Sequence, residues 1–391
     1  SASAVTSLTI VAPASIAAAT ALNLPFGTLY AFSVLLKPLE ALLAIGRAET
    51  SAVFALATIT LTIGMNLAPR LYGAMPPASL ALACGATSAG GLFLAATAEG
   101  LAQFAIGYGV LFGLGAGVGF IVVQQGVNQT VKGRTGLANG YVVSLFPLGA
   151  MLGAPLFGVV VAWFGLRALL AGLAVVVLAS CAIAAALLRL AVIRMHDGSV
   201  DRPASGQGQW PLFLRLSAVF FLAATAGLMV MSQAAGILLA YGGSTGLALV
   251  ATSTITGAVA AARLAGGWLV DHFPVPRVAA GAHLWSLAGA LALTLWAHPL
   301  AAVPALAMIG MGYGFISGLT AAAIAQYWPK NAFGRVASRL YIAWCVAAVG
   351  LPVIAGLIYD RTQRYDAAIL IAAAVNMLGA LLALGLPARR R

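Results

Sequence analysis

Mostly apolar runs of about 20 residues, long enough to cross a hydrocarbon core as helix, follow one another along this chain with little between them. Twelve are found, at 8–33, 50–68, 77–97, 101–129, 137–162, 166–190, 211–236, 246–269, 278–297, 299–327, 336–358 and 365–386. In a bilayer each backbone N–H and C=O must be bonded within the protein, so runs of this kind are left with the helix. Hydrophobic residues make up 62% of the chain and charged ones 7%, so water cannot be the solvent for most of the surface. The expected fold class is all-α, with twelve membrane-spanning helices. The first run is too long for a signal-peptide core and has no basic lead-in, so it is expected to persist as a helix.

The net charge of +12 does not point to nucleic acid, because the basic residues sit at the ends of the runs and not along one face. One side collects Arg70, Lys132, Arg134, Arg189, Arg194, Arg202, Arg215, Arg277, Lys330, Arg335, Arg339, Arg389, Arg390 and Arg391; the other holds Lys37, Arg47, Arg167, Arg361 and Arg364. By the positive-inside rule both termini are expected in the cytoplasm, with the chain in a bacterial-type inner membrane. Cys84, Cys181 and Cys345 fall inside runs at spacings unlike a metal site, and are expected as small core residues. No phosphate loop, metal cluster or nucleophile elbow is found. The expectation is a protein with no cofactor, no metal and no enzymatic activity, working as a monomer.

The longest hydrophilic segment, 193–210, lies between the sixth and seventh runs and reads as a flexible cytoplasmic linker. It divides the chain into an N-terminal bundle, 1–192, and a C-terminal bundle, 211–391. Punctuation recurs between them: Lys132 and Gly136 return as Lys330 and Gly334, and Gly158 returns as Gly356, all at one offset. Pro155 has a counterpart one residue out of register, Pro352. Duplication of a six-helix unit is the simplest reading.

Arg263 is the one charge set deep in a run, "ITGAVAAARLAGGWLVDHF" at 255–273. It precedes Asp271 by eight residues, about 12 Å along an ideal helix. Such a charge costs at least about 2.5–3.5 kcal/mol to insert, and usually faces a cavity or a partner. Thr252, Thr256, Val259 and Arg263 share one helical face, a polar stripe with a cation at its inner end. Glu40, Glu49, Glu99, Asp197, Asp201, Asp271, Asp360 and Asp366 are all the acids, and none lies deeper in a run than Asp366, the second residue of the last one. An incoming anion would supply the missing charge, and a guanidinium binds carboxylate as a planar fork. The alternative is an arginine that snorkels to the interface with no ligand.

Two loop segments carry a family resemblance. "GWLVDHFPVPR" supplies Gly267, Asp271 and Arg277, and "GMNLAPR" supplies Gly64 and Arg70 with Ala68 where an acid is expected. These resemble the loops after helices 2 and 8 of the major facilitator superfamily, which implies two six-helix bundles around a central cavity and a latch formed by those loops. Missing its acid, the first copy departs from that latch. "GTLYAFSVLLKPLEALLAIGRAE", "GLANGYVV", "FGLR", "ARLAGGWLVDHF" and "PVIAGLIYD" look like the oxalate/formate antiporter and monocarboxylate transporter branch. That resemblance implies that Arg263 is the substrate-carboxylate arginine. Animal carriers of the branch pair it with an aspartate one turn earlier, where this chain has Val259. Oxalate carriers add a lysine in helix 11, where this chain has Trp344. One buried cation suits one carboxylate, with Trp344 and Tyr341 as walls for the organic part. Exchange or uniport of the anion is favoured over acid-relayed proton symport, although a proton could ride on the substrate carboxyl.

In the first run, Asn23 and Tyr30 flank a Pro25 and Gly27 break suited to a kink facing a cavity. Gln124 and Asn128 share a face of the fourth run, beside Gln125; such amides also bond helix to helix. Met308 and Met311 make a methionine pair on the tenth run, beside Tyr313, Ser317 and Thr320, while Met229 and Met231 do not share a face. A soft-metal importer, a dicarboxylate exchanger and a transport-dead anion sensor are the competing readings. His283 reads as a helix-packing residue.

Overall fold

A computed structural model describes residues 2–191 and 209–388; of the linker read at 193–210, all but its last two residues lie outside the described residues. The described chain is helical with no strand. In order the helices are α1 (Ala2–Gly27), α2 (Arg47–Leu71), α3 (Pro77–Ala96), α4 (Leu101–Thr130), α5 and α6 within Thr135–Leu190, α7 (Trp210–Ala240), α8 (Thr245–His272), α9 (Val275–Leu295), α10 (Pro299–Tyr327), α11 (Phe333–Thr362) and α12 (Asp366–Leu384). The described residues thus form an all-α fold of twelve long helices. The helices α5 and α6 run together except at Gly165, whose φ of 84° is left-handed, a conformation glycine adopts without a Cβ penalty.

Two helices leave the α geometry. Pro25 in α1 has no N–H to give. Just beyond it Thr28–Leu35 winds as a 3-10 helix, before a short α-helix at Leu36–Leu43. The Thr28 hydroxyl turns back to the Pro25 carbonyl at 2.6 Å. In α4 the stretch Ala105–Phe112 is a π-helix, a form that is rare and concentrates at functional sites. Phe32 and Tyr108, one from each irregular stretch, pack with ring centroids 5.2 Å apart.

The chain packs as two compact units. One comprises residues 1–133, 145–202 and 329–339; the other comprises 134–144, 203–328 and 340–391. Each unit thus holds about ten residues from the other sequence half: the start of α5 belongs with α7–α10, and the start of α11 belongs with α1–α4. In the first unit α2 and α4 lie backbone against backbone, because Gly64 and Gly117 leave no room for even a methyl group between them. In the second, α8 and α10 close up in the same way at Gly314 and Gly318. Small residues at such seams let helices approach where lipid supplies no hydrophobic drive between them.

Candidate functional site

Arg263 stays in the interior of the second unit, 5% exposed. Its Nη1 donates to the Val143 carbonyl on the first turns of α5 at 2.9 Å. Its Nη2 donates to the Tyr313 hydroxyl on α10, also at 2.9 Å. The guanidinium is therefore held against α5 and α10. Two seams make this position available: Gly318 of α10 sits flush on the Arg263 backbone, and Gly227 of α7 sits flush on the Tyr313 ring.

Trp344 on α11 donates its indole Nε1–H to the same Tyr313 oxygen at 2.8 Å. The indole expected as a wall for the organic part thus also aims a polar group. Tyr341, one turn before it, meets Trp344 edge-on at 6.4 Å and Phe220 of α7 at 5.9 Å. Arg263, Tyr313, Tyr341 and Trp344 form one cluster. Of these, Tyr313 was not expected at the site, and the backbone carbonyl of Val143 carries no sequence signal at all. The flanking glycines in "GMGYGF" are the one local hint that the Tyr313 ring sits where helices touch.

Thr252 and Thr256 lie on α8 toward its N-terminal end, but their hydroxyl hydrogens go to the carbonyls of Ala248 and Thr252, at 2.8 and 2.9 Å. The polar stripe consequently presents oxygen lone pairs and methyl groups. Asn23, Tyr30 and Gln124 belong to the first unit. Asn23 and Gln124 are fully buried, and neither amide has a hydrogen-bond partner among the described residues. Tyr30 packs edge-on against Phe146 at 5.6 Å.

At the C-terminal end of α8, the Asp271 carboxylate accepts from the backbone N–H groups of Gly136 and Leu137, both at 2.8 Å. These are first-turn donors of α5 with no carbonyl of a preceding turn to bond, and a carboxylate suits the positive end of the helix dipole. Gly267, one turn earlier, makes room for Gly136 and Gly140. Arg277 and Arg70 are exposed, and Gly64 packs on α4.

The N-terminus of α11 is served differently. Gln125 of α4 accepts from the Gly334 N–H at 2.7 Å and donates to the Lys330 carbonyl at 2.8 Å. Asn66 of α2 donates to the Ser338 carbonyl at 2.9 Å. Gly136 and Gly334, equivalent in the sequence repeat, are thus both capped. A carboxylate does this in one copy and a neutral amide in the other.

No family model and no curated protein sequence matches the chain. Solved structures do. A proton:xylose symporter, XylE, of the major facilitator superfamily aligns over 95% of this chain and 94% of its own at 13% identity, with a TM-score of 0.75. The human organic anion transporter MFSD10 aligns over 96% and 99% at 17% identity, with a TM-score of 0.72. A bacterial homologue of the iron transporter ferroportin aligns over 95% and 98% at 14% identity, with a TM-score of 0.71. At these identities the likeness is one of fold.

Proposed function

We propose that this protein is a secondary transporter that moves a small organic monocarboxylate across a bacterial-type inner membrane by alternating access, with both termini in the cytoplasm. The observation that carries this reading is the Arg263 guanidinium, buried in the middle of α8 and bonded to the neutral oxygens of Val143 and Tyr313. Every acid of the described chain lies at or beyond a helix end. A single fixed cation at that depth matches the charge of one carboxylate, whose two oxygens a guanidinium engages together. Among the structural neighbours is an organic anion transporter, MFSD10.

In this reading Arg263 holds the carboxylate. Tyr341 and Trp344 bound its organic part, together with Thr252 and Thr256 of α8; in the first unit, Asn23, Tyr30 and Gln124 are the residues read as substrate contacts. The α5 start at Gly136, held by Asp271 beside Gly267, and the α11 start at Gly334 are the segments that must change partners as access alternates. The bundles divide at the 193–210 linker, and no cofactor or metal takes part.

Thermal stabilisation of the purified protein against acetate, lactate, benzoate, oxalate and succinate tests the binding step, because a ligand raises apparent stability by mass action. One of the monocarboxylates is expected to stabilise wild type and to leave Arg263→Ala unmoved; uptake into liposomes should follow the same pattern. Stabilisation by the dicarboxylates alone would require a second cation and an exchanger of dianions. Binding without flux would make the protein a sensor. Stabilisation of Arg263→Ala as large as that of wild type would overturn the reading.

A further inference from the structure

The Tyr313 hydroxyl has three hydrogen-bonding possibilities: two lone pairs on oxygen and one hydrogen. Both lone pairs are used, since the oxygen accepts from Arg263 Nη2 at 2.9 Å and from Trp344 Nε1 at 2.8 Å. The hydrogen meets no acceptor among the described residues. Yet the side chain is 1% exposed, inside a membrane helix. A buried donor left in this way costs free energy, and buried polar groups in native proteins are seldom left so. The two incoming bonds draw electron density from the oxygen and polarise its O–H, and chains of hydrogen bonds reinforce one another in this direction. One of the two donors is also a full cation.

We infer that Tyr313 is a second, specificity-determining donor to the transported anion, its O–H completing with Arg263 a site that reads one carboxylate oxygen by a neutral hydrogen bond and the anion's charge by the guanidinium. This rests on the monocarboxylate reading above. Trp344 is then a positioning residue, which fixes the phenol through its oxygen and touches no ligand with its N–H. Together they give the site a preference for strong hydrogen-bond acceptors over anions of equal charge and poor acceptor strength.

The substitution Tyr313→Phe removes the donor but also strands Arg263 Nη2 and Trp344 Nε1, so by itself it cannot separate binding from positioning. Replacing Tyr313 with 3-fluorotyrosine can. Fluorine makes the O–H a stronger donor and the oxygen a weaker acceptor, while the ring keeps its place. Dissociation constants for acetate, lactate and benzoate are measured by thermal stabilisation in wild type, Tyr313→Phe, the fluorotyrosine protein and Arg263→Ala, at a pH low enough to keep the fluorinated phenol protonated.

The inference expects tighter binding in the fluorotyrosine protein and a loss of about tenfold to a hundredfold in Tyr313→Phe, the range for one hydrogen bond to a charged group. Weaker or unchanged binding in the fluorotyrosine protein would assign Tyr313 to the support of Arg263 and overturn the inference. So would wild-type affinity in Tyr313→Phe. If Arg263→Ala loses binding while both Tyr313 variants keep it, the inference fails and the monocarboxylate reading stands. If Arg263→Ala binds as wild type does, or none of the three anions stabilises wild type, both fail.

Discussion

At the scale of single residues, Arg263 was legible because an arginine in an apolar run costs free energy that a local sequence cannot recover. Its function should depend on shape as well as charge. Arg263→Lys is expected to weaken monocarboxylate binding by about tenfold or more, since an ammonium keeps the charge and loses the planar fork; equilibrium binding to the purified variant checks this. Asn23 gives the opposite kind of test. Its amide is buried without a partner, so Asn23→Leu, similar in size, is expected to raise folding stability by about 1–3 kcal/mol while lowering uptake, as read by thermal melts beside liposome flux. A rise in stability with uptake intact would remove Asn23 from the site. Tyr313 could not be found in this way. A tyrosine in a helix is ordinary, and what distinguishes this one is that α8 and α11 each point a donor at its oxygen.

At the scale of helices, the apolar runs located eleven of the twelve spans to within a few residues, and the break between the fifth and sixth agrees with the turn at Gly165. The first helix extends beyond its expected end through the 3-10 stretch to Leu43. Neither that stretch nor the π-helix in α4 was visible, because both depend on which helix lies alongside. The capping of α5 was half legible. The Gly267 and Asp271 motif marked a loop of consequence, but nothing local says that the carboxylate reaches residues 136 and 137. Removing its charge should loosen that helix start. Asp271→Asn is expected to cost about 0.5–2 kcal/mol, the usual worth of an N-terminal cap with its dipole term, measured as a shift in melting and as faster labelling of a cysteine at Leu137. Gln125→Ala should cost a similar amount at the start of α11, because it strands the Gly334 N–H and the Lys330 carbonyl together.

At the scale of the whole molecule, the repeat read from Lys132, Gly136, Lys330 and Gly334 has a physical counterpart. The equivalent glycines open two helices that each begin in the compact unit built chiefly from the other sequence half. The linker is therefore not all that joins the halves. Residues 1–192 and 211–391 expressed as separate chains are expected to copurify from detergent, and to separate when Asp271→Ala and Gln125→Ala are combined. Copurification unaffected by the pair would mean that these caps do not hold the halves together.

The two caps also make the molecule electrically lopsided. Ions screen fixed charges over about 10 Å at 0.1 M salt and about 3 Å at 1 M, so the attraction of the Asp271 carboxylate for the dipole of α5 weakens as ionic strength rises. The Gln125 amide carries no net charge, and its hold on α11 is nearly indifferent to salt. A bath of rising salt would thus loosen one of two equivalent joints and leave the other fastened, because a carboxylate holds the first and an uncharged amide the second.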